Sequence, residues 1–355
     1  MSTEKMLASL SKIAQNPDWK QSYIEAMKSF EKKIETIGLD VREDITGPLV
    51  DALFDDDQVV RKELSDGTKL DFFYRSKIAR DFVMSEPVRP NHAWEPHTTR
   101  LLVKLAGVNS KNVVVGGAYF GDQAILVAKE ASKTGGVVHA FEPNNDQRGM
   151  LMHNAELNAV TNIRPNSEGL WDDASTSLAL VGYDSFAHPE KVDIDAEDSF
   201  KTVTIDGYLA AIGEKSLGLI MLDIEGAELR ALKGASAMLS QPAGQAPNIV
   251  FEVHRSYVDW SNGLENTDIV RYLTGHGYHV FAVRDFNSNY DLSGKPIEII
   301  PCDSVFLKGP DHGFNMVAVK DINLLSGEDF RVCRDVSPKY LRHKDPALHH
   351  PLGGL

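Results

Sequence analysis

From about Thr98 to Asp285 the chain alternates between short apolar runs and amphipathic segments, and this alternation constrains the fold more than any other feature. NVVVGG, VVHAFEP, NIRP, LGLIMLD, NIVFEVH and YHVFAVRD read as strands. TTRLLVKLAG, DQAILVAKEASKTG, RGMLMHNAELNAV, LRALKGASAML and DIVRYLTGHG read as helices. Strands as apolar as these need cover on both faces, and the helices between them supply it. The expectation is an α/β fold with a mostly parallel sheet. IIPCDSVFLKGP would add an antiparallel strand at its edge.

The flanks read differently. Residues 1 to about 60 are helical and acidic, and VVRKELSDGTKLDFFY reads as a hairpin about Asp66-Gly67. SEPVRPNHAWEPHTTR carries three prolines between Pro87 and Pro96, which marks a boundary or a covering loop. The expected organisation is a helical and hairpin region over 1–90, serving as a cap or oligomerisation element. A main domain over 91–310 and a C-terminal extension over 311–355 follow it.

Composition narrows the class. The net charge is −14 and no basic block stands out, so nucleic acid and anionic membranes are poor partners. Two cysteines, Cys302 and Cys333, make no disulfide framework. The first twenty residues lack a signal-like apolar core, and no run approaches the ~18 apolar residues of a membrane span. A cytoplasmic protein is expected, with room for a homo-oligomer.

The first strand of the alternating region runs into VVVGGAYFGDQAIL. Gly117 and Gly121 bracket a strand-to-helix turn where a backbone can approach a ligand closely. About twenty residues on, Glu142 ends the second strand, where an acid can accept both hydroxyls of a ribose. Gly116-Gly117-x-x-x-Gly121 does not match the G-x-G-x-x-G of dinucleotide sites. A ligand with adenosine but no pyrophosphate fits better, and S-adenosylmethionine is the obvious one.

The chain resembles the FkbM family of S-adenosylmethionine-dependent methyltransferases. The resemblance lies in VVVGGAYFGDQAIL, VVHAFEPNNDQRGMLMHNAELNAV, FKTVTIDGYL, LGLIMLDIEGAELRALKGA and IVFEVH, in that order from about residue 98 to 255. It implies a Rossmann-like class I methyltransferase sheet and methyl transfer from S-adenosylmethionine to a hydroxyl on a sugar or secondary metabolite. Gly117, Ala118, Gly121, Asp122 and Glu142 are the expected cofactor residues. The family usually carries an acid near the end of the first strand, where this chain has Val115. Asp122 is the expected substitute.

Asp223 and Glu225 follow one apolar strand, and Glu252 and His254 end another. In open parallel sheets such ends meet ligands. A sugar hydroxyl is a weak acid, so its methylation needs a placed base or a bound divalent cation. Glu225 or His254 is the expected base. Asp223 and Glu252 would position the acceptor or hold a metal such as Mg²⁺, which commonly uses one or two carboxylates. Glu228 reads as a helix-dipole or salt-bridge residue, and Asp206 as a turn or helix-start residue. Asn154 and Asn158 read as local backbone or packing contacts, and His92, Trp94 and His97 as a loop that can cover the substrate.

Two other classes compete. One is a non-catalytic binding or scaffold protein on a methyltransferase fold, for which Val115 speaks. The other is a nicotinamide-dependent oxidoreductase, which the glycine spacing opposes.

Overall fold

The computed structural model describes residues 3–340 apart from 35–38, 109–111, 194–195, 197 and 309–312. Most of the tail after Pro338 therefore lies outside the described residues. Helices α1 (Thr3–Ala14) and α2 (Pro17–Glu31) come first. Asn16 caps α2 by accepting the N–H groups of Asp18 and Trp19, and Pro17 sits where a missing N–H costs nothing. After α3 (Gly47–Asp51), β1 (Val59–Glu63) and β2 (Lys69–Phe73) form the expected antiparallel hairpin. Helix α4 (Lys77–Val83), the proline-rich loop and α5 (Pro96–Ala106) lead into the main sheet.

There the expected alternation appears: β3 (Asn112–Gly116), α6 (Ala124–Ser132), β4 (Val138–Phe141), α7 (Asn145–Leu157) and β5 (Ile163–Asn166). Four short strands follow, β6 (Gly169–Leu170), β7 (Ser177–Val181), β8 (His188–Val192) and β9 (Phe200–Val203), in a separate sheet of order β6-β9-β7-β8. The chain returns through α8 (Ile205–Ala211), β10 (Leu217–Leu222), α9 (Glu228–Lys233), α10 (Ser236–Leu239), β11 (Asn248–Val253), α11 (Asp268–Gly275) and β12 (His279–Phe286). It finishes with β13 (Ile297–Pro301), β14 (Phe314–Val319), β15 (Phe330–Val332) and β16 (Lys339–Tyr340).

The main sheet runs β15-β13-β12-β14-β11-β10-β3-β4-β5, with β16 beside β12. Strands β5, β4, β3, β10 and β11 are mutually parallel. The chain builds outward from β3 through β4 to β5, then crosses back to place β10 on the other side of β3. That reversal makes the β3/β10 boundary the switch point, where ligands bind beyond the strand ends. Alternation sends Val113, Val115, Leu219 and Met221 to one buried layer and Val114, Ile220 and Leu222 to the other.

The antiparallel strand expected at the edge or end of the sheet is β13, which pairs antiparallel to β12 and is flanked by β15, running parallel to it at the edge. A second antiparallel strand, β14, lies inside the sheet between β11 and β12. All six of its residues (FNMVAV) are buried, so no polar alternation marked it. LRALKGASAML is two helices rather than one, because the chain turns at Gly234, where a Cβ would lie 2.1 Å from the Trp171 carbonyl oxygen.

Asn154 and Asn158 make long-range contacts beside the expected local one, in which the Asn158 amide donates to the Asn154 carbonyl at 2.7 Å. The Asn154 amide donates to the Asp71 and Phe120 carbonyls, each at 2.8 Å, and its oxygen accepts the Asp71 N–H. Asn158 pairs with both backbone groups of Lys69. Helix α7 thereby pins the β1–β2 hairpin to the main domain.

Candidate active site

The β3 and β10 loops meet at the switch point. Gly117 has φ +75, and a Cβ there would lie 1.8 Å from the Asp223 carbonyl oxygen. A Cβ on Gly121, at φ +90, would lie 2.6 Å from Leu151 Cδ1. The protein itself thus demands both glycines, one for loop closure and one for packing against α7. Asp223 N–H donates to the Gly116 carbonyl at 3.0 Å, locking the two loops in register.

A cavity of about 1120 Å³, counted with its open mouth, lies over this junction. Val115, Gly117, Ala118, Asp122 and Glu142 line it, as do Asp223 and Glu225. Gly121 is not in the lining. The insert also contributes, through Leu178, Leu180, Asp184, Ala187, Pro189 and Phe200. The sequence reading did not assign this wall, because its strands are short and carry no strong pattern.

At one end, Glu142 accepts the Tyr119 N–H at 2.8 Å on one oxygen and the Asn144 N–H at 2.9 Å on the other. The carboxylate is held rigidly with lone pairs to spare. Burial pushes its pKa up to about 7 against those two donors. Asp122 is likewise buried and pushed up to about 7. Gln123 and Gln147 line the same cavity, and each has a buried side-chain oxygen with no hydrogen-bond partner. A ligand that brings N–H and O–H donors fits such a site.

At the other end, Asp223, Glu225 and Glu252 each place an oxygen within 4.8 Å of the others. Burial raises all three, and their mutual repulsion raises Glu225 and Glu252 further. Asp223 is pushed up to about 6 and Glu225 to about 8. Glu95, ahead of α5, is also raised by burial and then by Asp223, while its carboxyl bonds Asn315. Lys339, on β16, is buried near Glu252 and Glu95. Neither Glu95 nor Lys339 stands in a sequence pattern that points to the site. Glu95, Tyr119, Asp184 and Glu225 all hold left-handed φ of 47–49°, so the strained non-glycine backbone gathers here.

The remaining candidates fall elsewhere. His254 is not brought into the carboxylate cluster: its Nδ1 accepts the Ser256 N–H at 3.0 Å, and its ring lies 5.7 Å from that of Tyr257. Glu228 accepts the N–H groups of Ile224 and Gly226, closing the β10 loop in place of a salt bridge. Asp206 caps α10 through the N–H groups of Ala237 and Met238. Trp94 lines the cavity, while His97 is tied to the Arg284 carbonyl and His92 to Asn91.

Strand order, the switch-point cavity and the strand-ending acids define a Rossmann-like α/β domain of the class I methyltransferase type. Residues 116–280 match the family model of the methyltransferase FkbM domain. Among solved structures, methyltransferase FkbM from Methylobacillus flagellatus KT is similar at 16% identity, over 58% of this chain and 43% of that chain, with a TM-score of 0.35. The chain thus spans less than half the length of that protein. An O-methyltransferase from Bacillus cereus, in complex with SAH, is similar at 15% identity over 65% of this chain and 84% of that chain, with a TM-score of 0.34. A SAM-dependent methyltransferase from Agrobacterium tumefaciens is similar at 11% identity over 74% and 69%, with a TM-score of 0.38. No functionally curated protein matches the chain. Among the described residues, no helix is long and apolar enough to cross a membrane.

Proposed function

We propose that this protein is an S-adenosylmethionine-dependent O-methyltransferase acting on a hydroxyl of a sugar or other small metabolite. The observation that carries this reading is one cavity lined by a donor-fed carboxylate, Glu142, and by Asp223 and Glu225, which crowd against Glu252 behind them. When bound, the cofactor supplies a methyl group on a cationic sulfur. Glu142 accepts the ribose hydroxyls, and Asp122 faces the cationic tail in place of the acid that Val115 lacks. Asp223 and Glu252 accept hydrogen bonds from the acceptor and fix it in line with the methyl. Alignment of this kind contributes up to ~7–11 kcal/mol. Glu225 takes the hydroxyl proton, its pKa of about 8 suiting it to that role near neutral pH.

Isothermal titration with S-adenosylmethionine tests the reading, and saturable one-to-one binding is expected. Glu225→Gln should leave that affinity within about threefold while turnover falls ~10²–10⁴-fold. Normal turnover removes Glu225 from the chemistry. The spacing of the three carboxylates favours a second reading, in which a divalent cation such as Mg²⁺ sits on Asp223, Glu225 and Glu252 and acidifies the acceptor hydroxyl. Turnover that needs Mg²⁺ and stops in chelator selects it over direct proton transfer to Glu225.

A further inference from the structure

Gln147 is 3% exposed, sits in the first turns of α7 and lines the cavity. Its Nε2 donates to Asp184 Oδ1 at 2.6 Å. A carboxylate only accepts, so this bond decides which way the amide points. Its Oε1 is then an oriented, buried acceptor with no partner. A buried acceptor left empty is costly, and that cost is relieved by a ligand N–H or O–H. Asp184 is itself held, since it also accepts the Tyr119 hydroxyl.

The surroundings select the donor. Asp184 lies between β7 and β8, the hairpin that supplies Leu178, Leu180, Ala187 and Pro189 to the same cavity. Pro143, next to Glu142 in the chain, lines it too. A cavity that combines these apolar side chains with one fixed amide oxygen suits a flat base with an exocyclic amine. The ribose diol already has its acceptor in Glu142.

We propose that Gln147, oriented by Asp184, reads the exocyclic amine of adenine and makes the site selective for adenosyl over inosyl ligands. This rests on the adenosyl-cofactor reading above. Asp184 is a positioning residue, because it touches the base only through Gln147.

The test is calorimetric binding of S-adenosylhomocysteine and of S-inosyl-L-homocysteine, which carries a carbonyl where adenine carries its amine. In the wild-type protein the inosyl compound should bind roughly 5- to 100-fold more weakly, because acceptor then faces acceptor. Gln147→Leu should weaken the adenosyl compound, spare the inosyl one and so erase the preference. Gln147→Asn keeps the amide on a shorter stem and should lose most of it. Asp184→Ala frees the amide to turn and should reduce the preference by weakening the adenosyl compound while sparing the inosyl one, whereas loss of a merely structural contact would weaken both alike. Equal binding of the two compounds by wild type overturns the inference and leaves the cofactor reading intact. A preference that survives Gln147→Leu in a folded variant does the same. Binding of neither compound overturns the cofactor reading itself. The wild-type comparison stands even if a variant fails to fold.

Discussion

The two ends of the cavity hold carboxylates of opposite character. Glu142 receives a backbone N–H on each oxygen, whereas the side chains of Asp223, Glu225 and Glu252 crowd together within 4.8 Å. Both ends are buried enough to raise their pKa values, so burial alone does not distinguish them. Their partners do. A carboxylate fed by fixed N–H donors is rigid and recognises a ligand by geometry. Carboxylates crowded against one another repel, and a proton, a cation or an acceptor hydroxyl relieves that repulsion. On the proposed reading the first kind of site binds and the second reacts.

Perturbing each end separately sharpens this contrast. The largest effect is expected from the double variant Asp223→Asn/Glu252→Gln, with turnover down ~10²–10⁴-fold and S-adenosylhomocysteine binding changed far less. If binding is lost in proportion to turnover, the two ends are not separate. Glu142→Ala should do the reverse. Cofactor affinity should fall about 10- to 100-fold by calorimetry, while turnover at saturating cofactor stays within a few-fold. A turnover loss that saturating cofactor does not restore would place Glu142 in the chemistry.

The smallest effect concerns the free protein and pH. Glu225 has its pKa raised from 4.5 to about 8, and Asp122 and Glu142 rise to about 7. The unfolded chain releases these protons first. The stability they confer is full below their ordinary values and is lost as pH rises through about 7 to 8. Acids with lowered values, such as Asp71 and Glu43, act the other way, but only as pH falls below their ordinary range. Thermal melts in chelator without cofactor should therefore show Tm falling from pH 5 to pH 8. Glu225→Gln should flatten the fall, by on the order of 1 kcal/mol at pH 8. A slope unchanged in that variant would mean that Glu225 titrates normally.

Legibility in the sequence followed the range of the interactions. The strand-ending acids could be found because each follows its own apolar strand and strand ends share one edge of a parallel sheet. Glu142 and Asp223 are such residues. His254 also follows a strand, but the chain turns there and its Nδ1 is taken by Ser256. Gln147 was invisible, because a glutamine in an amphipathic helix has no pattern of its own. Only the hairpin tip at Asp184, far along the chain, turns its amide into a fixed acceptor.

The sequence by itself determined the alternating core, the order of its strands along the chain and the acids at their ends. Apolar run length and period are local properties, and burial on both faces follows from them. Tertiary structure alone decided that β14 enters the sheet interior, that the insert walls the cavity, and that Glu95 and Lys339 approach the carboxylates from outside the alternating region. Those outcomes depend on which surfaces meet after collapse. No short window of residues encodes a contact between segments more than a hundred positions apart.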